Sequence, residues 1–330
     1  MPHVLVTGAA GFIGSHVCEA LLGRGYAIRG MDAFTTFYDP SRKHQNIAGL
    51  VTDPCFELVA DDLLTADLHA ALQGVDAIVH LAGEPGVSTS WGPSFARYVD
   101  RNVMATQRLL EAACDTGVDR FVYASSSSVY GGEADALSAR GEPRPFSPYG
   151  VSKLAAETLV GAYALSHGLS TVSLRYFSVY GPRQRPDMAA HRFIESLLDG
   201  RPLTVFGDGS QVRDFTYVAD VVEATIRALS ADLPPAAVLD VASGRPTAVS
   251  ALIAQLNDLM GVEPAAVQQC DERRGDVPRT EGNVLTAREH LAWSAATDLR
   301  TGLTRQLEWH AALRVPAGLH DRSLLPSVGA

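Results

Sequence analysis

The sequence predicts an α/β protein built on a doubly wound parallel sheet, and three observations carry that reading. Six short β-rich runs alternate with helically spaced segments, a glycine-rich turn follows the first run, and an acidic residue closes the second. The runs are "HVLVTG" (3–8), "AIRGMD" (27–32), "FELVADD" (56–62), "AIVHLA" (77–82), "RFVYASS" (120–126) and "STVSLRYF" (170–177). Segments between them, such as "FARYVDRNVMATQRLLEAACDTG", repeat apolar residues at helical spacing. Strand and helix in alternation give a parallel sheet with helices on both faces. After Phe177 the rhythm changes: 178–216 is rich in Gly, Pro and Arg, and a helix and short strand return at 217–242. "VLDVASG" reads as a further sheet strand, and a mostly helical portion follows. These shifts divide the chain into a large domain of 1–177 plus 217–242, a smaller, mostly helical domain of 178–216 plus 243–315, and a loosely ordered tail of 316–330.

The chain has 330 residues, 46% hydrophobic and 19% charged, with a formal net charge of −10. That is enough apolar material for one large or two moderate cores. The acidic balance, without runs of Lys or Arg, argues against a nucleic-acid surface. Cys18, Cys55, Cys114 and Cys270 lie far apart, with no C-x-x-C and no histidine cluster at ligand spacing. Neither a disulfide frame nor a metal site is expected, and a reducing cytoplasm fits. The start "MPHVLVTGAAGFIGSHV" lacks a basic leader region, and no apolar stretch approaches a membrane span.

The first chemical signal is "TGAAGFIGSHV". Gly8, Gly11 and Gly14 end a strand and open a helix, where they permit a tight turn and close approach to a pyrophosphate at the helix N-terminus. Asp32 closes the second strand, placed to accept hydrogen bonds from an adenosine ribose and to repel a 2′-phosphate. The Rossmann-type reading therefore favours NAD over NADP as cofactor.

The second signal is "SPYGVSKLAAE", which puts Tyr149 and Lys153 four apart on one helical face. An ammonium there can stabilise a phenolate, making the tyrosine a usable base. About two dozen residues earlier, "YASSSSVYG" places serines at a strand end. Base, cation and orienting hydroxyl together are what hydride chemistry on an alcohol requires.

Together with "RYFSVYGPRQRPDMA", "FGDGSQVRDFTYVADV" and "ERRGDVPRT", these motifs make the chain to about residue 313 resemble the extended short-chain dehydrogenases/reductases of the nucleotide-sugar epimerase and dehydratase group. The resemblance implies a homodimer and an NAD site at Gly8, Gly11, Phe12, Ile13, Gly14 and Asp32. It further implies Asp62 and Leu63 at the adenine, Ala82 and Gly83 at the phosphates and ribose, and Asn102 and Tyr176 to Ser178 at the nicotinamide, with Tyr149 and Lys153 also touching the cofactor. Arg213, Arg273 and Asp276 would hold the nucleoside diphosphate of the substrate.

Aligned on the following Val-Tyr-Gly, Ser126 falls at the family's catalytic Ser or Thr, whereas Ser127 and Ser128 replace the Asp-Glu pair of the 4,6-dehydratases. Dehydration needs that acid and base, so the resemblance points to 4-epimerisation through a 4-keto sugar. The stretches 34–46 and 178–189 resemble UDP-glucuronate 4-epimerases. Ser127, Ser128, Ser178 and Arg185 would then receive the C5 carboxylate. Ser88 departs from that pattern, which commonly has an Arg after "GV", so a neutral UDP- or TDP-hexose stays open. A TDP-hexose 4,6-dehydratase and a non-catalytic NAD-binding regulator are the other readings, the first disfavoured by the missing acids and the second by the intact Tyr149 and Lys153.

Overall fold

Val4, Leu5 and Val6 are buried in succession yet pack into two different cores, Val4 and Val6 into one and Leu5 into the other. Ile78 and Val79, and Phe121, Val122 and Tyr123, divide in the same way. A strand covered on both faces produces that division, since successive side chains point to opposite sides.

The computed structural model describes residues 1–131, 142–263 and 265–314, so the expected tail at 316–330 lies outside the described residues. In chain order the strands are β1 (His3–Thr7), β2 (Ala27–Met31), β3 (Phe56–Val59), β4 (Ala77–His80), β5 (Arg120–Ser126), β6 (Thr171–Tyr176), β7 (Ser178–Tyr180), β8 (Leu203–Phe206), β9 (Val212–Tyr217), β10 (Ala237–Val241), β11 (Pro246–Ala248) and β12 (Val267–Cys270). The helices are α1 (Phe12–Leu22), α2 (Pro40–Ile47), α3 (Leu68–Ala71), α4 (Phe95–Tyr98), α5 (Ala105–Thr116), α6 (Pro148–His167), α7 (Ala189–Leu198), α8 (Val218–Ser230), α9 (Val249–Met260), α10 (Val284–Leu291) and α11 (Leu299–Arg314).

Seven strands form one parallel sheet in the order β10-β6-β5-β4-β1-β2-β3. All six expected runs and "VLDVASG" supply its members. Residues of α1 and α8 fill the core on one face; α3, α5 and α6 fill the other. The order reverses between β1 and β4, and a ligand crevice opens at such a point, outside the carboxyl ends of the strands.

The remainder carries two small sheets, β11-β9-β7 and β12-β8, beside α7, α9 and α11. As expected, this part is mostly helical, and it also carries short strands of three to six residues, too short to show a period in the sequence. The long helix expected across 95–117 is also interrupted: a π-turn at Val99–Met104 separates α4 from α5. Among the described residues, no helix is long and apolar enough to cross a membrane.

Candidate active site

Between β1 and α1 the chain turns through Gly8, whose φ of +69° is left-handed backbone that favours glycine. A Cβ on Gly14 would lie 2.1 Å from the Gly8 carbonyl oxygen, so only glycine lets α1 start this close to β1. The bare backbone of this turn, with Phe12 and Ile13 beside it, lines the cleft at the helix N-terminus, as a pyrophosphate requires. The cradle fits NAD.

Asp32 ends β2 with its carboxylate already engaged. It accepts from the Ala10 N–H at 3.2 Å, the Phe34 N–H at 2.8 Å and the Lys43 ammonium at 3.1 Å. Lys43 escaped the sequence reading, although a signal was present: Lys43 and Lys153 are the only lysines among 330 residues, and both are buried against this cleft. Lys43 offsets part of the charge by which Asp32 was expected to repel a 2′-phosphate. Asp62, Leu63, Ala82 and Gly83 line the same cleft.

Asn102, expected at the nicotinamide, lines the cleft too. Its Oδ1 accepts from the Glu84 N–H at 2.7 Å, while Nδ2 donates to the Glu84 carbonyl at 3.0 Å and to Ser152 Oγ at 2.9 Å. Ser152 Oγ in turn donates to the Tyr149 carbonyl. Asn102 thus also buckles the β4 loop to the first turn of α6, and it lies within the π-turn, a feature frequent at functional sites. Tyr176 turns its hydroxyl away, to Thr225 Oγ1 at 2.7 Å, leaving only its ring and backbone on the cleft wall.

The serines, tyrosine and lysine converge as their spacing predicts. Ser147 caps α6, its Oγ accepting from the Gly150 N–H at 3.1 Å, and Pro148 opens the helix. Tyr149 and Lys153 therefore project from the first two turns toward the end of β5. The Tyr149 phenol shares the cleft wall with Ser126, whose Oγ accepts from the Ser128 N–H at 3.1 Å. Burial holds the Tyr149 pKa above its ordinary value, while the neighbouring Ser126 hydroxyl and the Arg185 guanidinium pull it back. Lys153 was expected to supply that pull. Burial lowers its own pKa to about 7, against a smaller upward effect of Glu157. Its ammonium lies 4.4 Å from the centre of the Tyr123 ring.

Across the cleft, Ser178 sits on β7 and Arg185 on the loop before α7, forked onto Asp187 by two hydrogen bonds of 3.0 Å. Arg213 pairs with Asp276, and Arg273 lies 3.7 Å above the Phe206 ring. Arg192, on the same ring at 5.3 Å, and Asp187 also line the cleft and were not anticipated. Every residue expected from the sequence borders this one cleft of about 590 Å³, as does Ser88.

Away from it, α7 and α11 bring His191, Glu195 and His310 within 4.8 Å of one another, a proximity that sequence spacing did not show. Arg42 and Arg314 place guanidiniums on His191 and Glu195, opposing a further cation there.

A glycine turn at a sheet switch point, with a Ser-Tyr-Lys set lining the cleft beside it, defines a dinucleotide-dependent oxidoreductase site of the short-chain type. Residues 4–241 match the model of the NAD dependent epimerase/dehydratase family, and the chain belongs to that family. A Bacillus subtilis protein described as an uncharacterized UDP-glucose epimerase is 41% identical over 94% of this chain and 98% of its own. The UDP-glucuronate 4-epimerase of Thermodesulfobacterium geofontis is 34% identical over 94% and 96%. The crystal structure of UDP-glucuronic acid 4-epimerase from Bacillus cereus, in complex with UDP-glucuronic acid and NAD, is 40% identical with a TM-score of 0.90, covering 94% of this chain and 99% of that one.

Proposed function

We propose that this chain is an NAD-dependent 4-epimerase that interconverts UDP-glucuronate and UDP-galacturonate. The observation that carries the reading is the pair Ser127 and Ser128: neutral hydroxyls stand on the cleft wall where dehydration needs an acid and a base, while Tyr149 and Lys153 are intact beside them. When bound, NAD accepts the C4 hydride and returns it.

The chain's own residues do the rest. Tyr149, beside Ser126 on the cleft wall, takes the 4-hydroxyl proton and later gives it back. Arg213 and Arg273 hold the diphosphate with charge-assisted hydrogen bonds, and Asp276 keeps Arg213 in place. Ser127, Ser128 and Ser178 face the C5 carboxylate, with Arg185 as its countercharge. Segments 178–216 and 243–315 hold the nucleotide sugar against a cofactor domain of 1–177 plus 217–242. Family resemblance supports a homodimer, and the acidic sequence with its four scattered cysteines supports a cytoplasmic protein with no nucleic-acid partner.

Incubation with UDP-glucuronate, UDP-glucose, UDP-N-acetylglucosamine and TDP-glucose, followed by chromatographic separation, tests the substrate. Conversion of TDP-glucose to a 4-keto-6-deoxy sugar would replace this reading with the dehydratase. Because the hydride returns in each turnover, protein purified without added cofactor is expected to retain NAD and to turn over without accumulating NADH. Net reduction of added NAD⁺ would instead mark a dehydrogenase.

A further inference from the structure

Below the serine turn lies a buried polar network that the proposed chemistry does not use. The Glu157 carboxylate, one helical turn beyond Lys153, accepts from Ser125 Oγ at 2.5 Å and from Arg175 Nε and Nη2 at 3.0 and 2.5 Å. Arg175 Nη1 donates to the Tyr130 hydroxyl at 2.7 Å, and Tyr130 donates to Asp240 Oδ1 at 2.6 Å. The second Asp240 oxygen accepts the Asn283 N–H at 2.9 Å. Four elements, β5, β6, β10 and α6, are joined through one ion pair. A buried pair of this kind adds little net stability over apolar packing, so its use is sought elsewhere.

The serine turn supplies it. Ser125 immediately precedes the catalytic Ser126, and Tyr130 closes the short turn at 127–129. Both ends of the turn hang on the same guanidinium–carboxylate pair, and its carboxylate belongs to the helix that carries Tyr149 and Lys153.

We propose that Glu157 and Arg175 are positioning residues of the active site, fixing the serine turn to α6 and giving the buried Lys153 ammonium its counter-charge. The Lys153 ammonium lies over Tyr123 from β5, His80 on β4 is near enough to feel its charge, and Glu157 stands one turn further along its own helix. Burial and the Lys153 charge keep His80 neutral, leaving Glu157 as the anion among these groups.

The substrate assignment rests on the epimerase reading, so one arm of the test avoids substrate. The chain's two lysines give two Cε resonances in protein carrying ¹³C-labelled lysine. In Glu157→Gln holoenzyme, the Lys153 titration is expected to move down by about one unit, and that of Lys43, paired with Asp32, to stay. The second arm is Tyr130→Phe, which cuts Arg175 from Asp240 without changing a charge. Its kcat on UDP-glucuronate is expected to fall about tenfold, within the hundredfold that an ångström of misplacement can cost, with KM, NAD content and the Lys153 titration unchanged. An unmoved Lys153 titration in folded Glu157→Gln overturns the counter-charge role. If that variant does not fold, a Tyr130→Phe rate within twofold of native overturns the proposal alone. Failure of the native protein to act on UDP-glucuronate would sink the substrate reading and leave the titration arm standing.

Discussion

Tyr149→Phe is expected to lower kcat for 4-epimerisation by about 10²- to 10⁴-fold, the range a positioned proton acceptor contributes, while KM for UDP-glucuronate changes little. The variant removes one oxygen from the phenol that lines the cleft beside Ser126, and leaves the ring, its edge contact with Tyr98 and the capped start of α6 in place. What survives is substrate bound by the arginines beside a cofactor with no base. Equal losses in kcat and kcat/KM would show that the hydroxyl acts only in the transition state. A rate within tenfold of native, measured by chromatography of UDP-galacturonate, would remove Tyr149 from its role. The raised phenol pKa adds a sign: activity should climb with pH on the alkaline side of neutrality, because deprotonation is the step that burial opposes.

The second large effect concerns product identity. Oxidation at C4 of UDP-glucuronate makes a β-keto acid, which loses CO₂ readily when its C5–carboxylate bond lines up with the carbonyl π system. An epimerase must hold the carboxylate out of that alignment while the sugar turns. Hydrogen bonds to a charged group are worth about 1.5 to 3 kcal/mol each, so losing two should raise the decarboxylated share of product at least about tenfold. The Ser127→Ala, Ser128→Ala double variant should therefore epimerise more slowly and release more pentose nucleotide, followed by mass spectrometry during turnover. The structure separates this role from loop anchoring: the turn is tied down by Ser125, Ser126 and Tyr130. Among the described residues neither Ser127 nor Ser128 donates a side-chain hydrogen bond to the protein. Unchanged rate and partition in the double variant would show that the two hydroxyls do not meet the carboxylate.

The sheet was legible because each parallel strand is a continuous apolar run bounded by turn residues, and the glycine turn and the Tyr-Lys pair because both are local in sequence. What sequence could not show was how polar side chains are spent. Asn102 reads as a cofactor ligand, and its amide also binds Glu84 and Ser152, the latter fifty residues away. Glu157 sits visibly one turn from Lys153, but its partner Arg175 comes from the adjoining strand. The interruption at 99–104 holds Asn102, which grips another loop, and leaves no mark in the apolar spacing. Lys43 was hidden for a different reason: its meaning lies in the rarity of its residue type, which motif spacing does not register.

That rarity decides how the molecule meets amine-directed reagents. Most soluble proteins carry lysines over their surface, and succinimidyl esters, formaldehyde or pyridoxal phosphate decorate them there. Here every ε-amine in the sequence belongs to the cleft: Lys43 is held by Asp32, and burial lowers the Lys153 pKa. Acylation needs the unprotonated amine, so a reagent that reaches a lysine here reaches the active site, its uptake slowed by whatever fills the cleft, while the exposed α-amine of Met1 stays an ordinary target. Coupling to a support or cross-linking through lysine would cost activity before it captured the protein, and attachment chemistry for this chain belongs on its carboxylates or thiols.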